Sequence, residues 1–449
     1  PLTWCFGYII DNVFEGLVKE GTWYFDKPTG KIYYHALPGE TAENLVARIP
    51  SQETLVRICP CAKDQKIENL HFENLTFAFS GWKIPEDGFN SGQAETEAPN
   101  MFLADHLQDA SIRNCNFRYL GACAIWLRTG CRNIAVEDNI FSDIGAGAVR
   151  VGETENPADD WLATEAVLIK NNLIQNGGQV YLGSAGIWIG QSGRNEVLHN
   201  DISSAYQWAI SVGWNWKTFP LNRSRDNKVK YNHVHHLGTG VLGTHGAIYA
   251  LGVSPGTEIC NNHIHHIYSN EFWGAGEGII LDNGCSGILV ENNLVHDASA
   301  GGFGCNFNCF GNIIINNIFA YGDKFQLTRY GDPPTDKRIP PNGEIFGYNI
   351  VLWKNGPMFM EEDWFCWSTI WDYNLYYNTA GEEIRFLKYT FDEWKEKGMD
   401  ENSVLADPMF ADPENGDYTI SPDSPAIKLG FKPFPLDNFG LEKGHVLHL

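Results

Sequence analysis

The stretch Ile248–Gly284 has the sequence IYALGVSPGTEICNNHIHHIYSNEFWGAGEGIILDNG and contains two similar strand-like runs. The runs, Ile248–Leu251 and Ile279–Asp282, begin 31 residues apart, and the block Asn261-Asn262-His263-Ile264 lies between them. Both kinds of run recur along most of the chain. A short repeat of this type is typical of a coil in which each turn packs only against its two neighbours.

Asparagine recurs at one place in this repeat, two residues before an apolar residue. Successive aligned asparagines are 24 to 33 residues apart. A single repeated turn, with side-chain amides bonded from coil to coil, explains the shared register. Strand-like blocks without an amphipathic helix predict an all-β fold, a parallel β-helix of about eleven coils, because the Leu-x-x-Leu-x-Leu pattern of leucine-rich repeats is absent. The aligned residues are Asn139, Asn172, Asn200, Asn232, Asn262, Asn293, Asn317, Asn349 and Asn374.

The pattern divides the chain into three parts. Residues 1–67 are not repetitive, and the aromatic runs Trp23–Phe25 and Lys31–Tyr34 flank a Pro/Gly turn, which predicts a β-hairpin in an amino-terminal capping region. Residues 68–383 carry the repeat and form the predicted β-helix. Residues 384–449 are predicted to cap the last coil, with a short helix at 391–398 and several turns.

A second strand recurs in each coil and defines five aligned positions. Positions two and four are aliphatic in all copies, so we expect them to face the core, with positions one, three and five facing outward. Position one is always Gly or Ala, and position five is Gly at 152, 190 and 213, which together predict a floor that a ligand can approach. The six copies are AIWLR (124–128), AVRVG (148–152), GIWIG (186–190), AISVG (209–213), AIYAL (247–251) and GIILD (278–282).

Composition excludes several classes of protein. The net charge of -23 argues against nucleic acid, whose binding needs a cationic surface. No apolar run of about 18 residues is present, so no membrane span is predicted. Eleven cysteines are an odd number and favour free thiols in a cytoplasmic protein, although a removed segment before Pro1 would fit secretion. The sequence predicts no oligomeric state.

Aromatic side chains near the outward positions predict contacts with sugars, whose C–H faces stack on aromatic rings. Packing under a loop is the alternative for these rings. Gln191 follows Gly190 and has an amide that can bond hydroxyl groups, unless it is a turn amide, and Asn306 continues the column of fifth positions. The predicted substrate-binding residues are Trp188, Gln191, Trp214, Trp216, Tyr249, Trp273, Asn306 and Arg329.

Three residues are candidates for catalysis. Asp282 ends an otherwise apolar strand on the outward side, where neighbouring aromatics can shift its pKa, and its alternative role is a turn cap. Glycoside hydrolysis needs two carboxyl groups, and Glu277 is nearest in sequence, although strict alternation would place it opposite Asp282. His245 precedes a floor strand and is a further acid–base or hydroxyl-binding candidate.

Histidines also align between coils. Residues His233 and His263 share one column, and His235, His265 and His296 share another. Such imidazoles can bind a metal, but a hydrogen-bonded ladder is the commoner arrangement, so no metal and no cofactor are predicted.

Five runs of this sequence resemble the right-handed parallel β-helix proteins of glycoside hydrolase family 141. The resemblance covers nearly the whole chain and implies a right-handed helix with α-L-fucosidase or xylanase activity. It also places Asp282 on one of the two proposed catalytic acids of that family, and Asp282 matches the strand-end Asp of the family 120 β-xylosidases. The runs are GIWIGQSG (186–193), SVGWNW (211–216), IYALGVSPGT (248–257), GIILDNG (278–284) and SVLADPMFADPENGDY (403–418).

The chain departs from that family at three places. Thr244-His245 stands where the family has its other Asp, Glu277 stands where the family has an aromatic residue, and residues 304–307 read GCNF instead of His-Gln-His-Tyr. The first hypothesis is therefore a glycoside hydrolase for a neutral or lightly substituted glycan. The second is a glycan-binding protein that has lost one acid. The third, a polysaccharide lyase, would need Arg150 or Arg329 to neutralise a uronate.

Overall fold

The computed structural model describes residues 10–444 except 63, 217–222, 244, 271–275, 307, 331–342, 361–368 and 443, and gives only the backbone of His245 and Tyr330. The chain forms two compact units, Pro1–Pro50 and Ser51–Leu449. The division at residues 67 and 383 stays a prediction. Within the described ranges, no helix is long and apolar enough to cross a membrane.

The first unit contains the predicted hairpin. Strands Trp23–Asp26 and Lys31–Tyr34 pair in antiparallel fashion, and Gly30 in the turn between them has a positive φ of 67°, which a residue without a side chain adopts at little cost. A short 3-10 helix, Phe14–Gly16, precedes the hairpin, and the Phe14 ring packs edge-on against Tyr24 with ring centroids 5.4 Å apart.

The second unit is a parallel β-helix whose coils contribute strands to three faces. Face 1 contains Val56–Ile58, Asn100–Ala104, Cys123–Leu127, Val149–Gly152, Ile187–Gly190, Ile210–Gly213, the first parts of His245–Cys260 and Gly276–Glu291, Phe303–Asn306 and Leu327–Tyr330. Face 2 contains Ile67–Glu68, His71–Glu73, Leu107–Arg113, Arg132–Glu137, Glu165–Lys170, Glu196–Leu198, Lys228–Lys230, the second parts of the two long strands, Ile313–Ile315, Ile345–Gly347 and Ile370–Asp372. Face 3 contains Thr76–Ser80, Asn116–Leu120, Ile140–Ile144, Leu173–Gln175, Asp201–Ser203, His233–Leu237, His263–Ile267, Leu294–Ala298, Ile318–Ala320, Ile350–Trp353, Leu375–Asn378 and Val404–Leu405.

Stacked aliphatic side chains fill the inside of the coil. Position two of the face 1 strands forms one column, since adjacent copies pair in register and each side chain is at most 1% exposed. This column confirms the predicted core, and face 3 has eleven described strands between residues 76 and 378, in agreement with about eleven coils. The column contains Ile125, Val149, Ile187, Ile210, Ile248 and Ile279.

Position one does not face outward, and this part of the prediction is wrong. Ala124, Ala148, Ala209 and Ala247 are all buried in the main core. A Cβ added to Gly278 would lie 2.2 Å from Cγ1 of the core residue Val295. The chain turns a corner between faces 3 and 1 here, so positions one and two both point inward, and only a small residue fits at the corner.

The aligned asparagines form the predicted ladder on the inside of one turn. Between consecutive coils, Nδ2 of one residue donates to Oδ1 of the next, for example from Asn232 to Asn262 at 3.0 Å and from Asn262 to Asn293 at 2.9 Å. Each Oδ1 also accepts from the backbone of the preceding coil. Asp400 receives the last amide, that of Asn374, at 3.0 Å. Buried turns thereby keep their polar groups satisfied.

Two groups of residues after the last long coil pack on the β-helix. The helix Phe391–Glu396 falls in the predicted region, and its Trp394 is fully buried and donates to Asp400. Further along, the antiparallel pair Phe410–Asp412 and Asp417–Ile420 and the helix Pro425–Leu429 follow. The backbone N–H of Gly440 then bonds to the Tyr231 carbonyl, so the end of the described chain runs along face 3.

Candidate active site

The outward column of face 1 holds a compact group of aromatic residues. Trp188 pairs in register with Ser211, and Ser211 with Tyr249. The Trp208 ring stacks on Tyr249 with centroids 4.6 Å apart, and Trp188 meets Trp214 edge-on at 5.4 Å. These rings, called here the aromatic cluster, are Trp188, Trp208, Trp214 and Tyr249, each at most 4% exposed.

Position five is glycine in three of the six copies, and at Gly190 the glycine makes room for this cluster instead of forming an open floor. A Cβ on Gly190 would lie 2.0 Å from the Trp188 ring, so the ring rests directly on the glycine backbone. The sequence prediction of an open floor is therefore wrong at this point. Its physical reason is that Trp188 folds over its own strand and covers the space that the glycine leaves.

The segment 92–98 passes over this part of face 1 and is held there by Arg150. The Arg150 guanidinium is 4% exposed and donates to the backbone carbonyls of Glu95, Thr96 and Ala98 at 2.8 to 3.2 Å. Ala94 packs into the aromatic cluster. Because its donors are used by the backbone, Arg150 is not positioned to neutralise the uronate that a lyase would need.

Asp282 lies beside the aromatic cluster at the end of its strand. Its Oδ2 accepts a hydrogen bond of 2.7 Å from the Tyr249 hydroxyl, and its Oδ1 accepts one of 2.7 Å from the Asn283 backbone. The Asn306 side chain on the next coil also lowers the pKa of this carboxyl group. Burial raises the pKa of Asp282, and these donors act in the opposite direction by stabilising its charged form.

Glu277 faces the same side of the strand as Ile280. Gly246 is its partner in the ladder, and a Cβ on Gly246 would lie 2.8 Å from the Ile280 side chain, which points outward. The inward corner at Gly278 breaks the alternation, which is why Glu277 is not opposite Asp282. Glu277 is fully buried. Its burial and the nearby charge of Asp282 together raise the pKa of its carboxyl group to about 8.

Buried polar atoms without a partner occur along the outer side of face 1, at Glu277 and in the aromatic cluster. Among the described residues, both carboxyl oxygens of Glu277 are of this kind. Buried polar atoms are nearly always hydrogen-bonded, and a local group of exceptions requires an explanation such as bound water or ligand. The remaining atoms of the group on face 1 are Trp188 Nε1, Gln191 Oε1, Trp208 Nε1, Ser211 Oγ and Asn306 Oδ1.

Several other residues predicted for substrate binding also lie near Asp282. The Trp216 ring is 51% exposed, and its carbonyl accepts from the Asn283 side chain at 2.9 Å, which places an accessible ring close to the acid. Gln191 is buried and donates to the Trp214 carbonyl at 2.9 Å. Trp273 lies outside the described residues, and so does the side chain of His245, so both remain predictions.

Arg329 does not join this group. It follows Leu281 and Cys305 in register along an inward column, and its guanidinium bonds to the buried carboxylate of Glu344 at 2.7 Å. A second contact of 3.1 Å joins it to the Cys309 carbonyl. Its role in this structure is to neutralise Glu344 inside the coil, which also removes it as the basic residue of a lyase.

Two members of the site, Trp208 and Ser211, were not predicted from the sequence. Ser211 stands between Trp188 and Tyr249 at the outward position three of the aligned strands. A hydroxyl group at that position was the signal that the sequence offered. Trp208 directly precedes position one of its strand. Because Trp208 lies just outside the five aligned positions, it was not compared between coils. A large aromatic residue directly before such a strand is nevertheless a recognisable feature.

Comparison with known proteins establishes the fold. The family model described as "Right handed beta helix region" matches residues 102–267, and this match confirms the handedness. A solved structure described as "Glycoside hydrolase" is similar with a TM-score of 0.61 at 22% identity, over 68% of this chain and 57% of that one. The chain thus spans little more than half the length of that protein.

Two further solved structures match this chain with lower TM-scores. A GH136 lacto-N-biosidase from Eubacterium ramulus gives a TM-score of 0.39 at 12% identity, over 79% of this chain and 58% of that one. A mannuronic acid specific polysaccharide family 6 lyase from human gut microbiota gives a TM-score of 0.36 at 10% identity, over 71% of this chain and 84% of that one. No curated protein sequence matches this chain.

Proposed function

We propose that this protein is a glycoside hydrolase that acts on a neutral or lightly substituted glycan at the outer side of face 1. The observation that carries the proposal is the row of partnerless buried polar atoms along the outer side of face 1, which includes both carboxyl oxygens of Glu277. Sugar hydroxyls supply the donors and acceptors that this group lacks. Aromatic rings beside polar groups are the usual composition of a small-molecule site.

The two acids have environments that suit different roles. With a pKa of about 8, Glu277 is protonated at neutral pH and can give its proton to the glycosidic oxygen while the bond to the anomeric carbon breaks. Asp282 receives hydrogen bonds that favour its charged form. As a carboxylate it either attacks the anomeric carbon or takes a proton from the attacking water, which gives retention or inversion respectively.

The specificity within this class follows from the resemblance to family 141, which favours α-L-fucosides or xylose-containing glycans. Glu277 takes the place of an aromatic residue of that family, and it supplies the second acid that Thr244-His245 does not. A changed acid pair of this kind is compatible with a substrate that differs from those of the family.

A glycan-binding protein without turnover is the second candidate. The closed aromatic cluster favours it, since Glu277 is fully buried beneath its surroundings and a substrate reaches it only after part of the cover has moved. An exposed ring at Trp216 would still bind a sugar in that case.

A panel of aryl glycosides and natural plant and host glycans tests the proposal. We expect the wild-type protein to release product from at least one of them. Asp282→Asn and Glu277→Gln are each expected to lower turnover about 10²–10⁴-fold or more, as is usual for a general acid or base. Glu291→Gln, on the same strand but on face 2, is the matched control. Binding without product in the wild type would instead support the second candidate.

A further inference from the structure

Four histidines converge on the outer side of face 3, on a different face of the coil from Glu277 and Asp282. They come from three adjacent strands, His233–Leu237, His263–Ile267 and Leu294–Ala298. The register pairs His233 with His263 and aligns His235, His265 and His296 in the neighbouring column. The four residues, called here the histidine cluster, are His233, His263, His265 and His296.

The imidazole nitrogens of the histidine cluster point at one another. Nε2 of His233 lies 2.9 Å from Nε2 of His265, and Nε2 of His263 lies 2.8 Å from Nε2 of His296. One nitrogen from each of His233, His263 and His265 falls within 4.8 Å of the others. Ring centroids of neighbouring members are 4.6 to 5.1 Å apart.

Two carboxylates hold the outer nitrogens of this cluster. Asp201 Oδ2 lies 2.8 Å from Nδ1 of His233, and Asp297 Oδ2 lies 2.6 Å from Nδ1 of His296. A carboxylate at Nδ1 keeps the proton there and leaves the lone pair on Nε2, which is the usual outer shell of a metal-bound histidine. Both Nε2 atoms fixed in this way point into the cluster.

We propose that the Nε2 atoms of His233, His263, His265 and His296 bind one transition-metal ion, with Zn²⁺ the best match. Zinc prefers four ligands in a tetrahedron with Zn–N distances of about 2.0–2.1 Å, which puts the nitrogens about 3.3 Å apart. The two close pairs would therefore open by about 0.5 Å, while the other nitrogens of His233, His263 and His265, which lie up to 4.8 Å apart, would close towards the same distance. A hydrogen-bonded ladder also satisfies the close pairs, but it does not explain the two carboxylates behind the rings.

Two cavities beside the histidine cluster would give the ion access to it, and two aromatic contacts would give the bound ion a structural role. A cavity of about 690 Å³ borders His296 and Asp297, and another of about 540 Å³ borders His263. The Phe439 ring packs on His263 and the Tyr418 ring on His296, with centroids 5.3 and 5.0 Å apart. A metal that fixes these imidazoles would thereby fasten the carboxy-terminal residues to face 3. This inference does not depend on the proposed hydrolase activity.

Titration of chelator-treated protein with ZnCl2, followed by calorimetry and elemental analysis, tests the proposal. We expect one Zn²⁺ per chain and a melting temperature that rises with the Zn²⁺ concentration, since a ligand of the folded state stabilises it. His265→Gln and His296→Gln are each expected to weaken binding at least about tenfold, because even outer-shell changes cost that much. His71→Gln, whose imidazole contacts Ser111 near the other end of the coil, is the control.

Cobalt provides a second measurement on the unaltered protein, in case a variant fails to fold. Co²⁺ bound by four imidazoles in a tetrahedron gives visible absorption bands, which we expect to appear at one equivalent and to vanish when Zn²⁺ is added. The proposal is overturned if the wild type takes up no stoichiometric metal and shows no such bands. Equal affinity in the wild type, His265→Gln and His296→Gln would also overturn it.

Discussion

The hydroxyl group of Tyr249 donates a hydrogen bond of 2.7 Å to Oδ2 of Asp282 on the adjacent coil. Burial and the charge of Asp282 raise the pKa of Tyr249 well above its usual value, so the phenol remains a donor throughout the ordinary pH range. The bond stabilises the ionised form of Asp282 and offsets part of the effect of burial on that carboxyl group. Tyr249 is therefore a positioning residue for the carboxylate, as well as a member of the aromatic cluster.

Tyr249→Phe removes this donor and keeps the ring. A hydrogen bond to a charged group contributes about 1.5–3 kcal/mol, which corresponds to a rise of about one to two units in the pKa of Asp282. We expect the acidic limb of the pH–activity profile to move to higher pH by that amount. Profiles of kcat/KM for the variant and for Tyr119→Phe, an exposed tyrosine on face 3, measure the shift. An unmoved limb would contradict the role of Asp282 as the ionised group.

Glu277→Gln tests the raised pKa through stability. Between the ordinary pKa of 4.5 and about 8, the folded protein keeps a proton on Glu277 that the unfolded chain releases. The free energy of unfolding therefore falls as the pH rises through this window, by up to about 1.4 kcal/mol per pH unit. The Glu277→Gln variant has no carboxyl group at this position, so this fall in its free energy of unfolding does not occur. Urea unfolding at pH 5 and pH 8 is expected to show that it gains stability relative to the wild type at the higher pH.

The same substitution separates the titration of Glu277 from that of other buried acids. The difference between the two proteins at each pH cancels the contribution of groups such as Glu344, whose pKa burial also raises. A difference that stays constant from pH 5 to pH 8 would mean that Glu277 ionises normally. The assignment of Glu277 as the general acid would then lose its support.

Trp216 and Trp188 provide a contrast between binding and folding. Trp216 is 51% exposed, so Trp216→Ala is expected to weaken glycan binding while changing the free energy of unfolding by less than about 0.5 kcal/mol. Trp188 is 3% exposed, and its truncation to Ala is expected to cost about 3–5 kcal/mol. Binding titrations and urea unfolding of both variants measure the two effects. Unchanged binding in Trp216→Ala would place the glycan elsewhere.

The architecture could be predicted from the sequence because nearly every coil contains the same repeated pattern of residues. The asparagines at 232, 262 and 293 occupy one place in the pattern, and a single turn geometry follows from them. The inward column was equally visible, since Ile248 and Ile279 alternate with outward residues. Local patterns of this kind determine local structure, and stacking identical coils multiplies them.

The outer surface of face 1 was harder to predict because it depends on contacts between distant residues. Arg150 looked like a free cation on an outward position, but segment 92–98 satisfies its guanidinium. Strict alternation failed at Gly278, where a corner sends two successive residues inward and returns Glu277 to the outer side. The cover leaves no periodic signal in the sequence, and the signal of the corner, a Gly or Ala at position one of every copy, was interpreted as an outward floor.

The asparagine ladder makes a prediction about stability that does not depend on any activity. The Asn262 amide donates to the Val229 carbonyl and to Asn293, both at 2.9 Å, and its oxygen accepts from Asn232. Truncation of Asn262 to Ala leaves several of these buried groups without partners, at about 1–3 kcal/mol each.

We therefore expect Asn262→Ala to lower the free energy of unfolding by about 3 kcal/mol or more. Asn355→Ala is the control, because its side chain makes an exposed bond to Asp323 and the substitution is expected to change stability by less than about 0.5 kcal/mol. Urea unfolding followed by circular dichroism compares the two variants with the wild type. Equal stability of Asn262→Ala and Asn355→Ala would show that water replaces the amide inside the coil, and that the stacked aliphatic columns hold neighbouring coils together without the ladder.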